Sequence, residues 1–414
     1  MDYRFLEDLD YERYDAFARS HELGNLLQSA PWPEVKSGWR SQRVGLEDQS
    51  GRLSATALIL RRPVLPGLDF AYVPHGPLLD YQDTEILDRF LSELQKLAKR
   101  ERWLVLRLHP PVPIHEDSIK AFREGTAREA YPLELLNQRF SARGFQLQPR
   151  GLRMADTIQP RFQAELRRST WEEPPRGKIR HQLKLCERYH VEIERFTGDE
   201  ALLKLNDFEA LIRMTEKRQG IQLRDKEYFA RLIRSYGDDA ALFFADFDLE
   251  RSRSLALERE KSLREELELC RESSPRKARQ LEEQLVSVGK DLEFYQSLED
   301  EGVSDRRHPS AVLALRYGRA AEMPYAGSDE SFSRLPAVWA LYVEGARWAF
   351  AGGAGSYNLG GLEGDLADGL SVFKSHFDPL IVETAGEYDY SPRRFLYPLF
   401  LKALRLRKER AERA

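Results

Sequence analysis

The stretch "LSVFKSHFDPLIVE" (residues 370–383) sets one lysine, Lys374, between Phe373 and Phe377 in an otherwise apolar run. An ammonium in such surroundings either snorkels to water at a strand edge or holds something negative. Other short phrases concentrate polar and aromatic side chains. "LLQSAPWPEVKSGW" holds Gln28, Ser29, Trp32, Lys36 and Trp39, and "AYVPHGPLLD" holds Tyr72, Gly76 and Asp80. "MTEKRQGIQLRDKEYF" holds Thr215, Arg218, Arg224 and Tyr228, and "YAGSDESFSRLPAVWAL" holds Tyr325 and Ser328. Missing are a P-loop, a GxSxG elbow, an HExxH pair and a dinucleotide fingerprint. "AGGAGSYNLGG" is rich in glycine but lacks the strand-turn-helix frame of a phosphate cradle, so it reads as a flexible loop entering a strand.

The elements that must carry these residues alternate. "DYERYDAFARSH" has a helical period, and "GRLSATALILRRPV" reads as a strand. "DTEILDRFLSELQKLAKRERW" is an amphipathic helix, followed at once by the buried strand "WLVLRLHP". The grammar then repeats: "FEALIRMTEKRQGI" and "KEYFARLIRSYG" read as helices, and "AALFFADF" and "AVLALRYGRAAEMPYAG" as strands. A further helix falls in "SRLPAVWALYVEGARWAFAGG", and "SYNLGG" begins one more strand. Helix and strand in this order predict an α/β (α+β) protein of two similar units. Residues 249–300 differ from both units. Leu249, Ala256, Leu263 and Cys270 recur every seventh position, and after "SSP" come Leu281, Leu285, Val288, Leu292 and Tyr295. This spacing predicts an antiparallel helical hairpin turning near Ser273 to Pro275. Its ten basic against thirteen acidic residues argue against a phosphate-binding arm.

With 414 residues the chain has room for two domains and an extra element, and 42% apolar residues are enough for packed cores. No run approaches the roughly 18 apolar residues of a spanning helix. The N-terminal "MDYRFLEDLDYERYDAFARS" lacks the pattern of a signal peptide. Two cysteines, Cys186 and Cys270, stand far apart without zinc spacing. A cytoplasmic protein with no metal is expected. The net charge of −4 advertises no nucleic-acid partner, although residues 161–190 and the tail "KALRLRKERAERA" are rich in Arg and Lys.

Taken together and in order, "QSAPWPEVK", "YVPHGPLLD", "YNLGG" and "FK" resemble the FemABX family, and the resemblance runs from about residue 20 to residue 400. It implies two GNAT-like acyltransferase domains with a coiled-coil arm at 249–300. The first domain would cover 1–150, with 385–414 packing back on it, and the second 151–248 and 301–384. It also implies aminoacyl-tRNA-dependent transfer of an amino acid to the stem-peptide amine of lipid II or UDP-MurNAc-pentapeptide, at the inner face of the cytoplasmic membrane. Aminoacyl-tRNA would be a co-substrate, with no cofactor, because an ester is already activated. On this reading Lys374 stabilises an oxyanion or a phosphate. Lys36 and Arg218 hold the precursor's pyrophosphate. Trp39, Tyr72, Thr215, Tyr228, Tyr325 and Phe373 line the substrate.

The sequence departs from the family pattern twice. In "LRLHP", His109 stands where an aspartate is common, so either His109 moves the proton or the substrates exchange it themselves. In "YVPHGP", His75 stands where arginine is frequent. Two other readings remain open, a GNAT-like acyl-CoA N-acyltransferase and a non-catalytic scaffold that binds the precursor. The tail from Lys402, with Arg405, Arg407, Lys408 and Arg410 between Leu404 and Leu406, is a candidate for contact with anionic membrane.

Overall fold

The computed structural model describes residues 2–271, 273–303 and 305–413, without the side chains of 155 and 407–413. Two mixed sheets form its frame. Across the first the strands run Arg4–Leu6, Arg40–Glu47, Leu53–Leu65, Leu68–Val73, Trp103–Leu108, Tyr388–Tyr390 and Gln146–Leu147. Across the second they run Glu192–Thr197, Ala240–Asp248, Arg306–Tyr317, Ala320–Ser328, Ser356–Leu362, Phe162–Arg167, Leu380–Thr384 and Pro113–Asp117.

The repeated grammar of the sequence becomes a repeated motif. In each sheet three antiparallel strands lead into a helix, and the strand after the helix returns parallel to the third. The crossover helices are Thr84–Arg100 and Ala337–Ala351. The first starts at the Asp83 N-cap and buries Leu87, Phe90, Leu91, Leu94 and Leu97 along one stripe. The second is apolar nearly all round because it lies inside the second core. The two parallel pairs differ in length. Asp69 to Val73 stay paired with Trp103 to Leu108, whereas Ala320 to Glu322 pair with Ser356 to Asn358 and the strands then part.

Sheet membership does not follow a cut at residue 150. Pro113–Asp117 leaves the first half to pair with Leu380–Thr384 in the second sheet. A few residues later Tyr388–Tyr390 enters the first sheet beside Trp103–Leu108. Arg107 fixes that entry with a two-pronged contact to Asp389, both distances 2.7 Å, and a third bond to Glu387. The halves also share an apolar core, in which Tyr14, Leu26, Trp32 and Leu58 pack with Phe208, Phe229, Leu242 and Leu313.

Leu249–Cys270 and Pro275–Asp300 form the hairpin. The ion pairs Arg253–Glu299 and Lys277–Glu266 fix the two helices as antiparallel. Its distal part packs only on itself, through Leu263, Cys270, Ala278, Leu281 and Val288. At its base Leu249, Phe294, Tyr295 and Leu298 join the second core.

One local expectation changes. Lys374 is not at a strand edge, because Gly369–Ser375 is a short helix capped by Asp368, which accepts from the Leu370 and Ser371 amides. The strand expected to begin at "SYNLGG" is present as Ser356–Leu362, and it includes both glycines of "YNLGG". Its register with Phe162–Arg167 slips between Asn358 and Gly361.

Candidate active site

Lys374 is 3% exposed. Its Nζ donates to Gly361 O at 2.9 Å, the one hydrogen bond it makes among the described residues. An ammonium has three donors, so two remain for an oxygen that is not protein. Gly360 sits at φ +93°, and a Cβ there would stand 3.4 Å from Lys374 Nζ. A Cβ on Gly361 would strike Pro160. Gly360 thus leaves room beside the ammonium, and Gly361 allows Pro160 to pack closely against the strand. Burial lowers the Lys374 pKa to about 8, and Asp368 offsets this only in part. Phe373 forms part of the support, its ring 4.8 Å from Trp339, 5.0 Å from Tyr342 and 5.4 Å from Phe377.

A second cationic centre surrounds Tyr228. Lys36 Nζ lies 5.2 Å from the Tyr228 ring centre and 5.0 Å from that of Trp32. Arg224 and Arg231 lie 5.3 Å and 5.9 Å from the Tyr228 ring. Burial first, then repulsion by Arg224 and Arg231, brings the Lys36 pKa down to about 8. Among the described residues none of these three cations makes an ion pair with a carboxylate, and a cavity of about 370 Å³ opens beside Arg224, Tyr228 and Arg231. Tyr325 joins from the neighbouring strand, 6.1 Å from Tyr228 between ring centres. Three residues further along that strand, Thr215 accepts from the Ser328 amide at 3.0 Å, and Arg218 donates to Ser328 Oγ at 3.0 Å. Thr215 and Arg218 thus hold the strand end next to the cationic centre.

Tyr72 and Trp39 occupy a different neighbourhood. Tyr72 packs with Phe70, Leu104 and Val105, and Trp39 lies against Phe70 under Arg62. His109 is buried with its ring 4.6 Å from that of His75, and its Nδ1 has no hydrogen-bond partner among the described residues. Burial and then His75 hold its pKa well below the usual imidazole value, and burial lowers His75 to about 4. Both rings are neutral near pH 7. The Thr157–Phe162 stretch links this pocket to Lys374, since Gln159 bonds to His75 and Pro160 abuts Gly361.

Three features escape sequence reasoning. Glu322, Asn358 and Glu165 form one row across neighbouring strands, at the point where the parallel pair ends. Burial and then Glu165 raise the Glu322 pKa to about 7. The signal was a lone carboxylate in the strand pattern "RAAEMPYAG". Gln28 and Ser29 are structural: Gln28 bridges the Leu58 amide and Pro74 O, and Ser29 Oγ meets Tyr236 OH at 2.6 Å across the two halves. Arg224 is singled out with its phrase and Arg231 is not, and nothing in the sequence predicts that either meets Lys36.

The site thus combines a buried ammonium with donors to spare and a separate cluster of cations that, among the described residues, have no carboxylate partner. Residues 9–404 match the model of the FemAB family, and the chain belongs to that family. It is similar to the lipid II:glycine glycyltransferase of Staphylococcus epidermidis, 26% identical with 94% of each chain covered. The enzyme of the same name from Staphylococcus haemolyticus is 27% identical, with 94% of this chain and 93% of that protein covered. The crystal structure of FemX superposes with a TM-score of 0.73 at 22% identity, over 96% of this chain and 99% of that one, and so shares the fold.

Proposed function

We propose that this chain is an aminoacyltransferase. It moves an amino acid from the ester at an aminoacyl-tRNA end to the stem-peptide amine of lipid II or its soluble nucleotide-linked precursor. The acceptor amine attacks the ester carbonyl, the C–N bond forms and the bond between the acyl carbon and the ribose oxygen breaks. The proton lost by the amine leaves with the departing ribose oxygen. The Lys374 ammonium, preorganised by Gly361 O and shielded from water, donates to the oxyanion that develops in between. Its buried, partly satisfied charge is the observation that carries the reading. Lys36, Arg224 and Arg231 around Tyr228 receive the pyrophosphate. His109, held neutral and weakly basic, is not assigned the proton. The names of the staphylococcal relatives support lipid II as acceptor and glycine as donor residue.

The test is to incubate the protein with lipid II and a panel of charged tRNAs and weigh the product. A mass increase of one residue for one donor is expected. No increase with any charged tRNA, together with acyl transfer from an acyl-CoA, would overturn the proposal.

A further inference from the structure

The chain returns to the first sheet at Tyr388–Tyr390 and then leaves it for a final helix, Tyr397–Arg413. The inner side of this segment is accounted for. Leu396, Tyr397 and Phe400 pack on Phe70, Tyr72 and Val105, and Tyr397 OH bonds to Asp389 at 3.0 Å. The outer side is not. Phe395 is 96% exposed and Leu399 64%, and Leu406 lies one helical row further on. Arg393, Arg394, Lys402 and Arg405 surround them, with no acidic residue between Ser391 and Leu406. Lys99 adds a fifth cation, on the rim of an open groove of about 480 Å³ that it lines with Arg393, Arg394 and Phe395.

We infer that the outer face of residues 393–406 docks the protein on an anionic lipid surface, with Phe395 and Leu399 entering the interface and the basic side chains meeting the headgroups. An isolated exposed leucine is ordinary, but an almost fully exposed phenylalanine and a second exposed apolar side chain, in a segment whose charged residues are all cationic, combine the two attractions of interfacial binding. The location fits as well. The helix covers the sheet face that carries Tyr72, three residues before His75, whose neighbour Gln159 is followed by Pro160 against Gly361 beside Lys374. A lipid-linked acceptor would be met where its anchor lies. RNA phosphates would account for the cations, but they would leave Phe395 and Leu399 in water. In this last respect the inference rests on the acceptor proposed above, whereas the docking itself does not.

The experiment is flotation of the full chain with phosphatidylcholine vesicles containing or lacking phosphatidylglycerol. The expected result is flotation only with the anionic vesicles. The doubly substituted F395S/L399S chain should bind at least about tenfold more weakly, and R393Q/R394Q should bind more weakly at low salt and lose what binding remains less steeply as salt rises. Both apolar positions face solvent, so the folded state should persist, which an unchanged Tm would verify. Transfer to the water-soluble precursor should be unaffected by F395S/L399S, which separates loss of docking from loss of the proposed activity. The inference fails if the wild-type chain does not float with anionic vesicles, or if F395S/L399S floats as well as wild type. It fails also if that variant loses tRNA binding while its vesicle binding is unchanged.

Discussion

Lys374 and Lys36 share a lowered pKa but carry different burdens. The fall of Lys374 from 10.5 to about 8 corresponds to about 3 kcal/mol of unfavourable charge burial below pH 8. The unfolded chain binds the extra proton between pH 8 and 10.5, so folding is strengthened as pH rises through that window. Lys374→Met removes the buried charge at the smaller cost of an unpaired Gly361 O. Its Tm at pH 7 should be at least that of wild type, while kcat falls about a hundredfold to a thousandfold. Because only the ammonium form donates to an oxyanion, wild-type kcat should decline as pH passes about 8, and the residual activity of the variant should lack that decline. A kcat within threefold of wild type would remove Lys374 from the chemistry. Lys36→Met should act on the other arm of the kinetics, raising the KM for the precursor with little change in kcat. That both lysines mattered was legible from their phrases. The company Lys36 keeps was not, because Arg224 and Arg231 lie about 190 residues away in sequence and meet it only through the packing of two helices.

Long periodic elements were readable, and one short helix was not. The hairpin declared itself by its heptads, and the first crossover helix by its apolar stripe. The Gly369–Ser375 helix has seven residues, too few to establish a period, and its signal was the cap pair Asp368 and Ser371. The strand beginning at "SYNLGG" was readable, but the pattern does not reveal that Pro160 and Lys374 press against its glycines. The hairpin gives the prediction proper to this scale. Beyond its base it packs on nothing but itself, so replacing residues 261–284 with a short Gly-Ser turn should leave the body folded. Such a variant should give an unchanged near-UV circular dichroism spectrum per body aromatic and a Tm within a few degrees of wild type. A collapse of either signal would mean that the distal hairpin is part of the core.

At the scale of the molecule, the class was written in the sequence but the weave was not. Alternating helices and strands gave two mixed α/β halves, yet nothing in the local pattern tells Pro113–Asp117 to join the far sheet or Tyr388–Tyr390 to rejoin the near one. Pairings across more than 260 residues are decided by packing, not by propensity. The bond that holds this weave is testable. Arg107→Met would leave Asp389 and Glu387 buried without their cation, a loss of about 3 to 5 kcal/mol. The urea midpoint should fall accordingly, whereas Arg40→Met, which breaks an exposed pair with Asp69, should shift it by less than about 1 kcal/mol.

The return of Tyr388–Tyr390 also sets a timetable for synthesis. Trp103–Leu108 leaves the ribosome with one edge bare, and Gln146–Leu147 has no strand to pair with, until some 240 further residues have been made. The amino-terminal half therefore cannot mature as an independent unit during translation. Its exposed edge must be kept from wrong partners until the last strand arrives. A nascent chain stalled before residue 388 should stay protease-sensitive in its first half, and release of the complete chain should bring protection to both halves together.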